Sequence, residues 1–197
     1  CWEHRDSFLG QSISIEEALD RCADAAPPIC LLDMGDNVGG GSAADSTWLI
    51  AAVERRRMNG CLVILFDPES VDTCWRNGVG SRLQLRMGGK TDHLHGSPLD
   101  AWVTVKHCCH AKFQETQVRH GGIRDFDQGR CSVVQTDNGN TILLNSRRTA
   151  PLSLGQCTSC SLQPQDFRII IAKGVHAPLA AYQEVCRTFL RVDTPGS

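Results

Sequence analysis

Asp33, Asp36, Asn37 and three consecutive glycines, Gly39, Gly40 and Gly41, fall together in the stretch LLDMGDNVGGGSAADSTWLI at residues 31–50. Glycines between an apolar run and a helix start let the backbone approach a ligand closely and offer N–H groups to an anion such as phosphate, carboxylate or a tetrahedral oxyanion. The loop has no Gly-Lys-Ser/Thr ending and no G-x-G-x-x-G spacing, so it is neither a Walker loop nor a dinucleotide fingerprint. Asp33 and Asp36 would repel a polyphosphate. In the plainer reading Asp45 or Ser42 caps the following helix and the glycines only turn the chain. A second candidate is IAKGVHAPLAAY, which puts Lys173 and His176 after a buried strand, where they could hold an anionic group or move a proton. The alternative there is a solvated Lys and a helix-entry His. Arg147 and Arg148, in NSRRTAP, are placed to pair with a carboxylate.

Histidines and cysteines invite a metal reading at TDHLHG, KHCCH and VRHGG. On a strand, His107 and Cys109 face one side while Cys108 and His110 face the other, which defeats a tight cluster. Cys157-x-x-Cys160 lacks a matching second pair. The spacing fits exposed histidines and free thiols, and no metal site is expected in this chain.

The 197 residues suit one domain, or a domain with a small lobe. A formal net charge of −2 argues against a nucleic-acid partner, and no apolar run is long enough for a membrane span. The N-terminus has neither an initiator Met nor a signal-peptide pattern, so the chain reads as a piece of a longer, cytoplasmic protein whose 11 cysteines are reduced.

The elements that must position these groups follow from pattern. Ser14 and Glu17 form a capping box ahead of a helix that places Ile15, Leu19 and Cys22 on one face and stops at Pro27 and Pro28. ICLLDM and GCLVILF are short apolar runs of the kind covered on both faces of a sheet. With the helices ADSTWLIAAVERRRMN and PESVDTCWRNG they give strand, helix, strand, helix over residues 29–78, a βαβ unit with a right-handed crossover. SRLQLRMGG and LDAWVTVKHC alternate like half-exposed antiparallel strands, and CSVVQTDNGNTILLNS is a hairpin about Asp137 to Asn140. Residues 149–166 read as a loop. FRIIIAKGV reads as a strand, APLAAYQEVCRTF as a helix and FLRVDTPG as a final strand or tail. The expected fold is α/β, with βαβ units forming a mixed sheet flanked by helices and an antiparallel β-hairpin section in the middle. Residues 1–28 are an entry segment and helix, and 29–197 the α/β domain proper.

The segments DMGDNVGGGSAADST, FDPESV, GVGSRLQLRMGGK, HGSPL, SRRTAPLS, IIAKGVHAPLAAY and RVDTPG, in this order, resemble the C-terminal domain of the microcystinase C (MlrC-type) metallopeptidase family. The opening SFLGQSISIEEALDRC resembles the segment that enters that domain. The resemblance implies a zinc-dependent hydrolase of small peptides or amides. It implies that His and acidic zinc ligands belong to an N-terminal domain not included here, which becomes the main expected partner. Asp36, Asn37, Gly39, Gly40, Gly41, Lys173 and His176 are then the residues expected to face the shared cleft. Two other readings stand beside it: a non-catalytic interaction or dimerisation module, including a homo-oligomer, and a small-anion binder using the glycine loop alone.

Overall fold

The computed structural model describes residues 2–3, 11–119 and 122–197. Cys1, residues 4–10 with all of SFLG, and His120 and Gly121 of VRHGG lie outside the described residues.

Helix α1 (Ile15–Asp24) begins where the sequence places it, with the Ser14 hydroxyl accepting from the Glu17 N–H. It buries Ala18, Leu19 and Cys22. Strand β1 (Ile29–Asp33) is buried along its whole length. After it, residues Val38–Gly40 make one 3-10 turn, and helix α2 (Trp48–Arg55) starts only seven residues beyond Gly41. β2 (Cys61–Phe66) leads into α3 (Pro68–Asn77), capped by Asp67 on the Ser70 N–H. Then come β3 (Arg82–Met87), the long β4 (Leu99–Gln114), β5 (Asp125–Thr136) and β6 (Thr141–Asn145). Segment 149–166 is not only loop, since it carries α4 (Gly155–Thr158) and a 3-10 turn at Pro164–Asp166. β7 (Ile169–Lys173) precedes α5, which is regular only over Leu179–Tyr182, and β8 (Thr188–Val192) closes the fold.

The eight strands form one mixed sheet in the order β3-β4-β5-β6-β2-β7-β1-β8. The five strands from β6 to β8 are parallel, and β3, β4 and β5 extend them as antiparallel neighbours. β1 and β2 are therefore not adjacent, because β7 from the far end of the chain lies between them. Parallel strands covered on both faces bury successive residues on opposite sides. Ile29, Leu31, Cys61, Val63, Ile169 and Ile171 pack into one core with α1, α2 and α3. Leu62, Ile64 and Leu143 meet Cys157 and Cys160, while Cys30, Leu32, Ile170 and Ala172 meet Ala181, Tyr182 and Cys186. Among the described residues no helix is long and apolar enough to cross a membrane.

Candidate functional site

The carboxyl ends of β1, β2, β6, β7 and β8 converge on one edge of the sheet, the place where open α/β sheets bind ligands. The register pairs Asp33, the last residue of β1, with Lys173, the last of β7, and with Val192 of β8. Lys173 is not a solvated cation beyond its strand. It is buried, with Nζ 2.8 Å from Asp33 Oδ2, 2.5 Å from the Ser46 carbonyl and 3.4 Å from Asp36 Oδ2. Thr194 donates to the other Asp33 oxygen at 2.5 Å and accepts from the Gly35 N–H at 2.8 Å.

Asp36 is equally enclosed. It accepts from the Ser42 hydroxyl (2.6 Å), the Ala44 N–H (2.7 Å) and the Ser46 N–H (2.8 Å). Burial would raise its pKa, but the Lys173 charge and these three donors outweigh that and hold it below the ordinary 3.8. Burial would likewise lower Lys173, and the two carboxylates instead raise it. Both groups are therefore charged, and Asp36 braces the loop from within; it does not touch solvent.

His95 joins the cluster from a turn the metal reading had placed at the surface. It is 1% exposed, with Nδ1 2.8 and 2.9 Å from the two Asp92 oxygens. Nε2 lies 3.2 Å from the Gly35 carbonyl and 4.0 Å from Asp36. Acceptors on both nitrogens favour the doubly protonated ring. Burial works against the charged ring, yet the Asp92 hydrogen bond and the Asp36 charge raise its pKa above 6.5.

The glycines themselves are exposed. Gly40 donates to the Asn37 carbonyl at 2.8 Å and Gly41 to that of Val38 at 3.1 Å, with Gly41 at φ +102°. Their N–H groups thus close the turn, and the N–H groups of Asn37, Val38 and Gly39 are left without an acceptor among the described residues. The sequence expectation of three glycines at a helix N-terminus is corrected here, since α2 begins at Trp48 and is not capped by a side chain. Neither Asp45 nor Ser42 is a cap. Asp45 accepts from the N–H groups of Lys90 and Thr91, and Ser42 serves Asp36. Asn37 is half-buried, its amide beside the glycines and its oxygen facing Gly174. His176 is exposed and takes no part in the cluster.

A small cavity lies on the other face of the same strand ends. Its walls come from Ala44, Phe66, Asn145, Thr149, Lys173 and Tyr182, among others. Ala44, Phe66, Thr149, Lys173 and Tyr182 belong to motif segments quoted above, and Asn145 immediately precedes SRRTAPLS. Arg148, beside it, donates to the Ala43 carbonyl and sits over the Phe66 ring at 4.7 Å, while Arg147 pairs with Asp127.

The remaining metal candidates separate as the strand alternation requires. Cys108 contacts Ser132, Cys109 lies 3.6 Å from Cys160, and His110 packs edge-on against Trp75. Among the described residues no group of three or more His, Cys, Asp or Glu is arranged to hold a metal ion. The acids that come nearest to such a group are committed to Lys173, to His95 and to backbone N–H groups. Sequence reasoning missed His95, Asp92, Thr194 and Asn145 as parts of this end of the sheet. HGSPL and RVDTPG were visible as motifs, but nothing local says that their side chains meet Asp36 and Asp33.

Microcystinase C from Sphingomonas sp is 35% identical over 79 residues, which are 40% of this chain and 16% of that protein. A solved structure described as a "Putative metallopeptidase" from Mesorhizobium sp. BNC1 matches with a TM-score of 0.88 over 99% of this chain and 39% of the other. At 24% identity that likeness shows the fold alone. The chain thus spans well under half of the length of either protein. The family model described as the MlrC C-terminus matches residues 31–197. The chain belongs to the MlrC C-terminus family.

Proposed function

We propose that this chain is the non-metal half of a zinc-dependent hydrolase of peptide or amide bonds, its glycine loop completing a cleft shared with an N-terminal domain. The observation that carries the reading is an exposed glycine turn at the carboxyl ends of parallel strands, braced from beneath by the buried Asp33–Lys173–Asp36 cluster. A turn held that firmly is preorganised, which is what stabilising charge in a transition state requires. The described residues of this chain do not fit a zinc ion, so the metal is assigned to the N-terminal domain and no step is routed through it here. What this chain supplies is the free N–H groups of Val38 and Gly39, with the Asn37 side chain beside them, to hold a carboxylate or the developing oxyanion. Asp36 and Lys173 act indirectly, by fixing the loop. His176, exposed on the neighbouring strand end, is available to substrate.

Gly39→Ala in the full-length protein tests this. An added Cβ would meet only the Asn37 side chain, at an ordinary 3.6 Å, so the fold is kept while the exposed face is obstructed. Gly40→Val is a harsher version, with its Cβ 3.0 Å from the Asn37 amide. The expected result is a fall of about tenfold or more in turnover of short peptides or amides, about 1.4 kcal/mol in the barrier, with zinc content unchanged. Full activity in a folded, zinc-loaded Gly39→Ala protein would reduce the loop to a turn.

The interaction-module reading is favoured by one observation. Trp48 is 37% exposed and Leu94 53%, and they are joined by a bond from the Trp48 indole N–H to the Leu94 carbonyl. This apolar pair stands next to the His95 turn and suits packing against the N-terminal domain. The two readings share that interface and differ in whether Gly39→Ala changes turnover.

A further inference from the structure

Cys109 of β4 and Cys160, just past α4, bring their Sγ atoms to 3.6 Å from each other across a separation of 51 residues. Both thiols are free. A disulfide needs about 2 Å between the sulfurs, so closing the pair asks for about 1.5 Å of movement.

The two residues differ in access and in how firmly they are held. Cys109 is half-exposed and open to a small solute, whereas Cys160 is 1% exposed. Cys109 is fixed in mid-strand, in register with Cys131 of β5. Cys160 sits among turns. Its N–H donates to the Cys157 carbonyl, Ser161 donates to Thr158, and Ser161 is left-handed at φ +62°. A segment held by short-range turn bonds moves over such a distance more readily than a paired strand.

Cys131 is the competing partner, since it stands opposite Cys109. Its thiol is directed at the Gln128 and Gly129 carbonyls, each 3.9 Å away, while the Cys160 sulfur lies against that of Cys109.

We propose that Cys109 and Cys160 form a reversible thiol switch, closed by a low-molecular-weight disulfide of the glutathione type and reopened by a thiol reductant. The reduced protein is the starting form. The Cys109 thiolate attacks one sulfur of the oxidant, giving a mixed disulfide and expelling one small thiolate, which takes up the Cys109 proton. Cys160 then attacks the Cys109 sulfur, the mixed bond breaks, and the second small thiol leaves with the Cys160 proton. Two protein thiols are oxidised by two electrons, and one small disulfide is reduced to two thiols. Burial pushes the Cys109 thiol up to about 12, and a hydrogen bond with Cys131 together with burial raises Cys160, so the exchange is slow at neutral pH. The bond joins β4 to the segment that supplies Thr149, Pro151 and Gln156 to the small cavity, and so ties one wall of that cavity to the sheet. The switch is independent of the reaction the protein catalyses.

The test is prolonged incubation of the full-length protein with glutathione disulfide in mildly alkaline solution, followed by removal of the excess, denaturation and mass mapping. The expected product has lost two hydrogens, shows two fewer free thiols, and yields one joined peptide whose fragments place the bond between Cys109 and Cys160. Dithiothreitol should restore both thiols. Cys109→Ser and Cys160→Ser should each abolish the bond, and Cys108→Ser should leave it. Fragmentation of the joined peptide from the unmodified protein locates the bond without any variant having to fold. Glutathione retained on Cys109 as a stable mixed disulfide, a bond to Cys131 in place of Cys160, or thiols that all stay free would each overturn the proposal and leave the pair as packing alone.

Discussion

Lys173 is buried between two carboxylates and a carbonyl, an arrangement that tolerates no missing partner. A buried pair contributes little net stability, but removing one member leaves uncompensated charge and costs about 3–5 kcal/mol. Lys173→Met should therefore lower the unfolding free energy by that amount, as measured by urea denaturation. Loss of less than about 1 kcal/mol would mean that Asp33 and Asp36 take up protons readily and the cluster is not a brace. His95 sets the pH behaviour. Its folded pKa is raised above 6.5, so its contribution is complete below that value and is lost as pH rises through the folded value. Asp36 has the opposite sign, contributing above 3.8 and losing that contribution as pH falls through its depressed folded value. The melting temperature should decline on the alkaline side of 6.5, and His95→Gln should flatten that decline while lowering the plateau. An unchanged alkaline slope in His95→Gln would remove His95 as its origin. Nothing in TDHLHG reveals this, because a histidine's charge state depends on acceptors contributed by Gly35 and Asp36 from another segment.

At the scale of elements, the glycine turn is held at both ends. Gly35 packs so closely on the C-terminal tail that an added Cβ would run into the backbone carbonyls of Thr194 and Pro195. Gly35→Ala should destabilise by about 1–3 kcal/mol, as overpacking does, and should also lower any activity that depends on the loop. An unaltered melting temperature would show that the tail simply moves away. The strands were legible because near-continuous apolar runs have no other comfortable place than a doubly covered sheet. The cap of α1 was legible for a local reason, since Ser14 and Glu17 lie three residues apart; the Asp67 cap of α3 is as local but was not read from the sequence. The helix expected over APLAAYQEVCRTF is mostly irregular turns. Its apolar spacing suits helix, but the chain must enter β8 at Thr188, alongside Ile29 of β1, and the regular part ends at Tyr182.

For the whole molecule, the cysteines report on how completely the sheet is covered. The ten described cysteines are free, and only Cys108 and Cys109 are partly exposed. Burial pushes the Cys109 thiol up to about 12 and Cys22 to about 11. The native chain should therefore react slowly with a thiol reagent, with 11 thiols released on denaturation without reductant. A lower final count would reveal a disulfide and overturn the reduced reading. The sequence by itself determined the α/β class, the strand-forming segments, the Ser14 cap of α1 and the hairpin at Asp137 to Asn140, since periodicity and short-range hydrogen bonds decide these. It also carried the motifs by which the family is identified. Tertiary structure alone decided that β7 would lie between β1 and β2, and with it that Lys173 would meet Asp33, 140 residues away. It decided too that Asp36 would turn inward, that His95 would close on Gly35, and that Asn145 and Gln156 would share a cavity. Each of these depends on which distant segments the sheet order makes neighbours, and the energy of a buried polar group is set by those neighbours, not by its own sequence.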